Sequence, residues 1–243
     1  MFIINLLTPI IFIAILFSAF KNGKPICNRY YMNTILYLMF MISIYYNGIS
    51  IENRYKLLDS DTIFMIGIII GYILSLFLCI YLLYTTNNIY IQHICLIYII
   101  LSLGIFSYNG LYSRILQNKT KEEKLEVLSN IILRLIIILL FTLLLSIYFP
   151  KYFGSKIYVV SFVLLIITIL FYLLDVIVFK SGFTNIYHYL FILIFAIFLV
   201  YDFKYINSRA QSCNGKPDYI IGSLNLFLDI INIFDSLLLL NKE

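Results

Sequence analysis

Apolar runs about twenty residues long alternate with short polar clusters along the whole chain. Eight stand out, at 1–20, 31–48, 62–84, 89–109, 129–149, 157–179, 185–206 and 219–240. A hydrocarbon core about 30 Å thick is crossed by about 20 residues rising about 1.5 Å each, so such runs are long enough to span it. Lipid offers backbone N–H and C=O groups no partner, which makes helices of runs this apolar; barrel strands would alternate apolar and polar positions. The pattern predicts an all-α polytopic membrane protein, a single transmembrane domain over residues 1–243 with no soluble domain.

The first run begins Met1, Phe2, Ile3 without a basic leader or a small-residue cleavage site, and reads as a span rather than a signal peptide. The second is the shortest and carries Asn33 and Asn47 near its ends, so seven and eight spans both stay open. The longest polar stretch, Asn109 to Ser129, suits one surface helix between two halves. Gly67, Gly71 and Ser75 recur every fourth residue, a small-residue stripe that would let another backbone approach closely.

Composition narrows the class. The chain is 63% hydrophobic and 12% charged, with mean hydropathy +0.99, against about 45–50% and about 25% in a usual globular domain. The polar surface is too small to wrap a water-soluble fold, and the lipid bilayer is the expected partner. Net charge is +5, but the charges cluster between apolar runs, so nucleic-acid binding lacks its electrostatic warrant. Lys and Arg divide eight against eight between the odd connectors and the even connectors with the C-terminal tail. Orientation therefore stays open.

Catalytic chemistry finds no footing: there is no Gly-x-Ser-x-Gly elbow, no His-Glu-x-x-His helix and no phosphate-cradling glycine loop, and no enzyme is expected. Cys79 and Cys95 sit in apolar runs and read as small hydrophobes. Cys27 and Cys213 fall in connectors on one side of an eight-span chain, but spacing alone does not establish a bridge. His93 and His188 lie at span edges and read as interfacial polar residues. Asn118-Lys119-Thr120 is a glycosylation sequon, meaningful only if its connector is luminal.

Ionisable residues inside apolar runs cost about 2.5–3.5 kcal/mol near a helix centre on insertion scales, and so point to function. They are Arg134, Asp175, Asp202, Asp229 and Asp235. Asp175 and Asp235 lie close enough to span ends to reach an interface, and Arg134 can snorkel. Asp229 is ten residues into its run, about 15 Å deep, and Asn225 at i−4 and Asn232 at i+3 share its face. That stripe should face a bundle interior. Asp202 is the expected partner, and the seventh helix is expected to continue through Asn207 towards Arg209, which brings their depths closer. Two carboxylates in a low-dielectric interior cannot both ionise cheaply and should hold a proton between them. Doubly ionised, they form a hard oxygen site suited to Ca²⁺, and a proton-gated cation path follows.

At these residues the sequence resembles a known family. Val200-Tyr201-Asp202-Phe203, followed by DYIIGSLNLFLDIINIFDSLLLL from Asp218 to Leu240, is similar to the C-terminal signature of the Bax inhibitor-1 family, also called the transmembrane Bax inhibitor motif or lifeguard family. The likeness covers roughly the last 60 residues; upstream, the spans are compatible. It implies a bundle of seven helices around the last one, here with an extra N-terminal span. It also implies a pH-sensitive Ca²⁺ leak and, in eukaryotes and some of their viruses, suppression of cell death through membrane-protein partners. The family's paired aspartates map onto Asp202 and Asp229. A basic latch near the end of the second family helix has no counterpart after Tyr84, leaving Arg134 or Arg54 as candidates to substitute. Asp235 stands at a usually apolar position and would add a carboxylate along the exit path. The implied location is the endoplasmic reticulum or Golgi for a eukaryotic or viral protein and the plasma membrane for a bacterial one. No cofactor is implied beyond calcium as permeant ion. A non-conducting protein that inhibits apoptosis by binding partners is the competing reading.

Overall fold

The computed structural model describes residues 2–21, 24–27, 29–55, 62–108, 119–179, 184–213 and 217–241. Among these the chain forms eight helices: α1 (Phe2–Ala19), α2 (Tyr30–Tyr55), α3 (Thr62–Thr85), α4 (Ile89–Ser107), α5 (Lys121–Tyr148), α6 (Ser155–Leu174), α7 (Thr184–Gln211) and α8 (Tyr219–Leu240). A two-residue antiparallel ladder, β1 (Phe20–Lys21) with β2 (Lys24–Pro25), turns the chain between α1 and α2. Among the described residues six helices, α2 and α4 to α8, are long and apolar enough to cross a membrane, and the described parts of α1 and α3 add apolar stretches at Leu7–Ala19 and Ile70–Thr85. The chain is an all-α, multi-pass integral membrane protein.

Three helices outrun their apolar cores. α2 continues to Tyr55, and α7 continues past Asn207 and Arg209 to Gln211. α5 starts at Lys121, so this half of the polar stretch is the helix's own first turns rather than a separate surface helix. A capping box fixes its start: Glu123 N–H donates to Thr120 Oγ1 at 3.3 Å and Thr120 N–H to Glu123 Oε2 at 2.7 Å. Asn118 of the sequon lies outside the described residues.

The described residues divide into two compact units. The first comprises Met1–Arg114 with Cys213–Leu224, and the second Ile115–Ser212 with Asn225–Glu243. In the first, α1 and α2 are antiparallel: Thr8 hydrogen-bonds with Ser43 and Asn47, Phe12 stacks on Phe40 at 5.4 Å, and Asn33 reaches Ser18 O at 3.3 Å. α2 and α4 run parallel with a nearly constant offset, since Tyr37 meets His93 56 positions on and Tyr108 meets Asn53 55 positions back. Their crossing point is Gly48 against Gly104. A Cβ added at Gly48 would lie 2.3 Å from Leu101 O, and one at Gly104 2.2 Å from Tyr45 O. α3 returns antiparallel to α4, with Ser75 bonded to Tyr98 and Tyr72 stacked on Phe106 at 4.0 Å.

Of the expected small-residue stripe on α3, Gly67 lies outside the residues whose surroundings are described, Gly71 faces open space, and Ser75 meets α4 through its hydroxyl bond to Tyr98 rather than by backbone approach. Backbone approach is made by Gly48 and Gly104 instead, which belong to no repeat and meet only because α2 and α4 are parallel neighbours.

The first turns of α8 belong to this unit. Tyr219 donates to Ile26 O, receives a bond from Asn33 Nδ2 at 3.1 Å and packs on Tyr30 at 5.0 Å; Ser223 donates to Thr34 O at 3.0 Å. A Cys27–Cys213 disulfide, Cα–Cα 5.8 Å, closes the same corner, answering the pairing that spacing left open.

In the second unit α5 and α6 each pack on α7. α6 and α7 are antiparallel, with Tyr158 on Tyr201 at 4.6 Å towards one end and Tyr172 on His188 at 5.9 Å towards the other. α6 closes in a π-helical turn, Asp175–Phe179. Large apolar side chains stand outward on both α5 and α6, Phe141 being 60% and Ile177 69% exposed. In water such a surface would aggregate; in lipid it is the solvated face.

Candidate functional site

The site grows out of α7 and the second half of α8. The extension of α7 to Gln211 is decisive: Asp202 lies nine residues before that end, about 14 Å, and Asp229 ten residues after Tyr219, about 15 Å. Antiparallel helices joined by a short connector therefore carry the two aspartates at equal depth.

Both are buried, at 6% and 7% exposure, and both line one cavity. A carboxylate ion carries only acceptors, so two carboxyl groups share a hydrogen bond only with a proton between them. Asp229 Oδ2 is fully buried and has no partner among the described residues.

A cavity of about 350 Å³ opens on the pair. Its polar lining is Asp202, Asp229, Asn225 and Asn232; Tyr158, Phe162, Leu165, Phe195, Phe198 and Leu228 supply the apolar walls. Asn232 donates its amide to Leu228 O at 2.7 Å, which leaves its side-chain oxygen as the group free to accept. The polar lining is thus rich in oxygen. Among the described residues no cluster of three or more His, Cys, Asp or Glu could hold a resident metal. Two carboxylates with amide oxygens suit a hard cation in passage better than a tightly held one, since Ca²⁺ takes about six to eight oxygens in a permanent site.

Other expected residues lie elsewhere. Arg134 on α5 is exposed and does not line the cavity; Arg54, in the other compact unit, is exposed in the last turn of α2, its guanidinium 5.9 Å from the Tyr55 ring. Asp235, with Oδ1 buried, also lies outside the lining. Asp175 is 3% exposed, packed inside the protein at the π turn. The histidines are held by protein neighbours. His188 is buried against Tyr172 and Phe191, and His93 is held between Ile89 O at 2.7 Å and the Tyr37 hydroxyl at 2.8 Å.

Lys204 stands at the end of its apolar run, where a basic residue reads as part of a connector. It sits within α7, two residues past Asp202, and donates to Phe153 O at 2.9 Å, tying α7 to the α5–α6 connector. Glu52, beyond the apolar run of α2, is fully buried in that helix's last turns. A run of apolar residues marks where a helix meets lipid, so polar residues that extend it into neighbouring protein leave no hydropathy signal.

No curated protein and no solved structure matches this chain. A family model does, over residues 1–242, described as inhibitor of apoptosis-promoting Bax1. The match takes in the spans upstream of the C-terminal signature as well as the signature itself. The chain therefore belongs to the Bax inhibitor family, whose membership links this multi-pass membrane protein to inhibition of apoptosis.

Proposed function

We propose that the protein is a pH-sensitive Ca²⁺ leak whose gate is the proton-sharing pair Asp202 and Asp229. The observation that carries this reading is that two buried carboxyl groups, from α7 and α8, line one oxygen-rich cavity. With a proton between them the carboxyls satisfy each other and offer a cation little. Once that proton leaves, two like charges sit a few ångströms apart in a low dielectric, and a divalent cation relieves the repulsion. Calcium is the permeant ion in this scheme rather than a resident cofactor. No bond of a substrate is made or broken, and no catalysis is expected.

The test is flux in proteoliposomes loaded with a Ca²⁺ dye. The double change Asp202→Asn with Asp229→Asn should remove the pH dependence of flux, because amides keep the shape and lose the proton. An unchanged pH profile refutes the assignment.

A second reading draws on the family description, which names an apoptosis-promoting protein and no ion. On that reading the chain restrains death signalling by binding membrane partners, and the polar stripe of α8 supports the fold. Stressed cells would then stay protected by the double mutant although flux is lost. An endomembrane location suits both readings in a eukaryotic or viral setting, and the plasma membrane in a bacterial one.

A further inference from the structure

The charge count along the chain ties, but the disulfide breaks the tie. Cys27 lies between α1 and α2, and Cys213 between α7 and α8. A covalent bond joins them, so both connectors lie on one side of the membrane, and the chain crosses an even number of times between them. Among the described residues six helices intervene, and five of them, α2 and α4 to α7, have the length and apolarity to cross. Parity requires α3 as the sixth.

The packing of the first unit reaches the same result independently. α2 and α4 are parallel, their starts joined by Tyr37 with His93 and their ends by Asn53 with Tyr108. Two parallel spans need a return crossing between them, and α3, antiparallel to α4 over 24 residues, is that crossing. In the second unit, Lys204 near the end of α7 bonds the α5–α6 connector, as alternation demands.

Disulfides form and persist in the endoplasmic reticulum lumen, the periplasm or outside the cell, and are rare where glutathione and thioredoxin keep thiols reduced. We propose that the Cys27–Cys213 bridge is a staple formed in an oxidising compartment by exchange with the disulfide of a dithiol oxidoreductase, which leaves as the dithiol carrying the two electrons and two protons of the cysteine pair, and that it fixes the sidedness of the whole chain. The connectors after α1, α3, α5 and α7 face that compartment. Those after α2, α4 and α6, with the end of α8, face the reducing one. The Asn118-Lys119-Thr120 sequon follows α4 and therefore stays unmodified, since glycosylation is luminal. The staple also closes the corner where Tyr219 and Ser223 bond α2, so it pins the start of the helix that carries Asp229. This inference does not depend on calcium flux and stands or falls separately from it.

Two measurements test it. Membranes quenched with a small alkylating agent, then denatured and treated with a thiol-reactive polyethylene glycol after reduction, should show two newly freed thiols per chain. None freed by reduction overturns the staple. For sidedness, a chain with Cys27→Ser, Cys79→Ser and Cys95→Ser keeps Cys213 as its thiol. A membrane-impermeant maleimide should label it in sealed vesicles only from the non-cytosolic side, and labelling from the cytosolic side overturns the orientation. Should that variant fail to accumulate, the wild-type chain translated into endoplasmic-reticulum microsomes decides: a shift on deglycosylation, showing Asn118 modified, overturns the proposal, and its absence is the expected result.

Discussion

Replacing Gly48 by alanine inserts one methyl group where two helix backbones touch. The new Cβ would stand 2.3 Å from Leu101 O and 3.1 Å from both Gly104 Cα and Ile105 N. Ordinary contact begins about 1 Å farther out than the closest of these, and because all three are backbone atoms no rotamer change makes room. α2 and α4 must separate by about that amount, and a gap of about 0.5–1 Å forfeits a quarter to a half of the dispersion attraction along the seam. In lipid no hydrophobic pressure closes the helices again. Overpacking of this kind costs about 1–3 kcal/mol, against which alanine recovers about 1 kcal/mol of helix propensity over glycine. A net loss of up to about 2 kcal/mol results. Gly71→Ala is the internal control, since nothing lies within 4 Å of its added Cβ and the propensity gain should survive. Thermal unfolding of the two variants in the same detergent, followed by size-exclusion chromatography, should place Gly48→Ala below wild type and Gly71→Ala at or above it. Equal midpoints for the two variants would show that the α2–α4 crossing does not hold the first unit together.

Other consequences can be checked alongside. Tyr37→Phe removes the donor to His93 Nε2 and leaves a buried acceptor unsatisfied, a loss of about 1–3 kcal/mol readable as a lower unfolding midpoint. Thr120→Ala breaks the capping box at a cost of about 1 kcal/mol, seen as faster hydrogen exchange confined to the first turns of α5. Lys204→Met releases Phe153 O and should speed exchange in the α5–α6 connector while leaving the start of α5 unchanged. Protons and Ca²⁺ compete for the Asp202–Asp229 pair on the proposed mechanism, so cation occupancy falls as pH falls. Raising Ca²⁺ should then move the midpoint of the flux profile to lower pH; a midpoint indifferent to Ca²⁺ argues against a shared site.

Hydropathy made the helices legible because each span must satisfy its own backbone in lipid, whatever its neighbours do. The last run, 219–240, coincides with α8, and the first, third and fourth agree with α1, α3 and α4 to within two residues. Errors collected where a helix leaves lipid for protein or water. Asn47 is consumed by Thr8 of α1, and the charged turns of α5 are secured by a cap rather than by burial. The polar stripe Asn225, Asp229, Asn232 was readable from spacing, since three polar residues on one face of an apolar helix have no cheap place except an interior.

What the sequence determined by itself was therefore one-dimensional: where the apolar cores of the helices lie, their all-α membrane class, and which helix carries a costly buried acid. Apart from the expected partnership of Asp202 with Asp229, pairings came only from the tertiary structure. Gly48 finds Gly104, Tyr37 finds His93, Cys27 finds Cys213 across 186 positions, and the depth of Asp202 comes level with Asp229 once α7 is seen to run on to Gln211. The physical reason is that lipid exposes every span to the same solvent, so apolarity says that a helix crosses but not which neighbour it meets. That choice is made by a few short-range contacts between small, polar or sulfur-bearing side chains, whose partners lie far away along the chain.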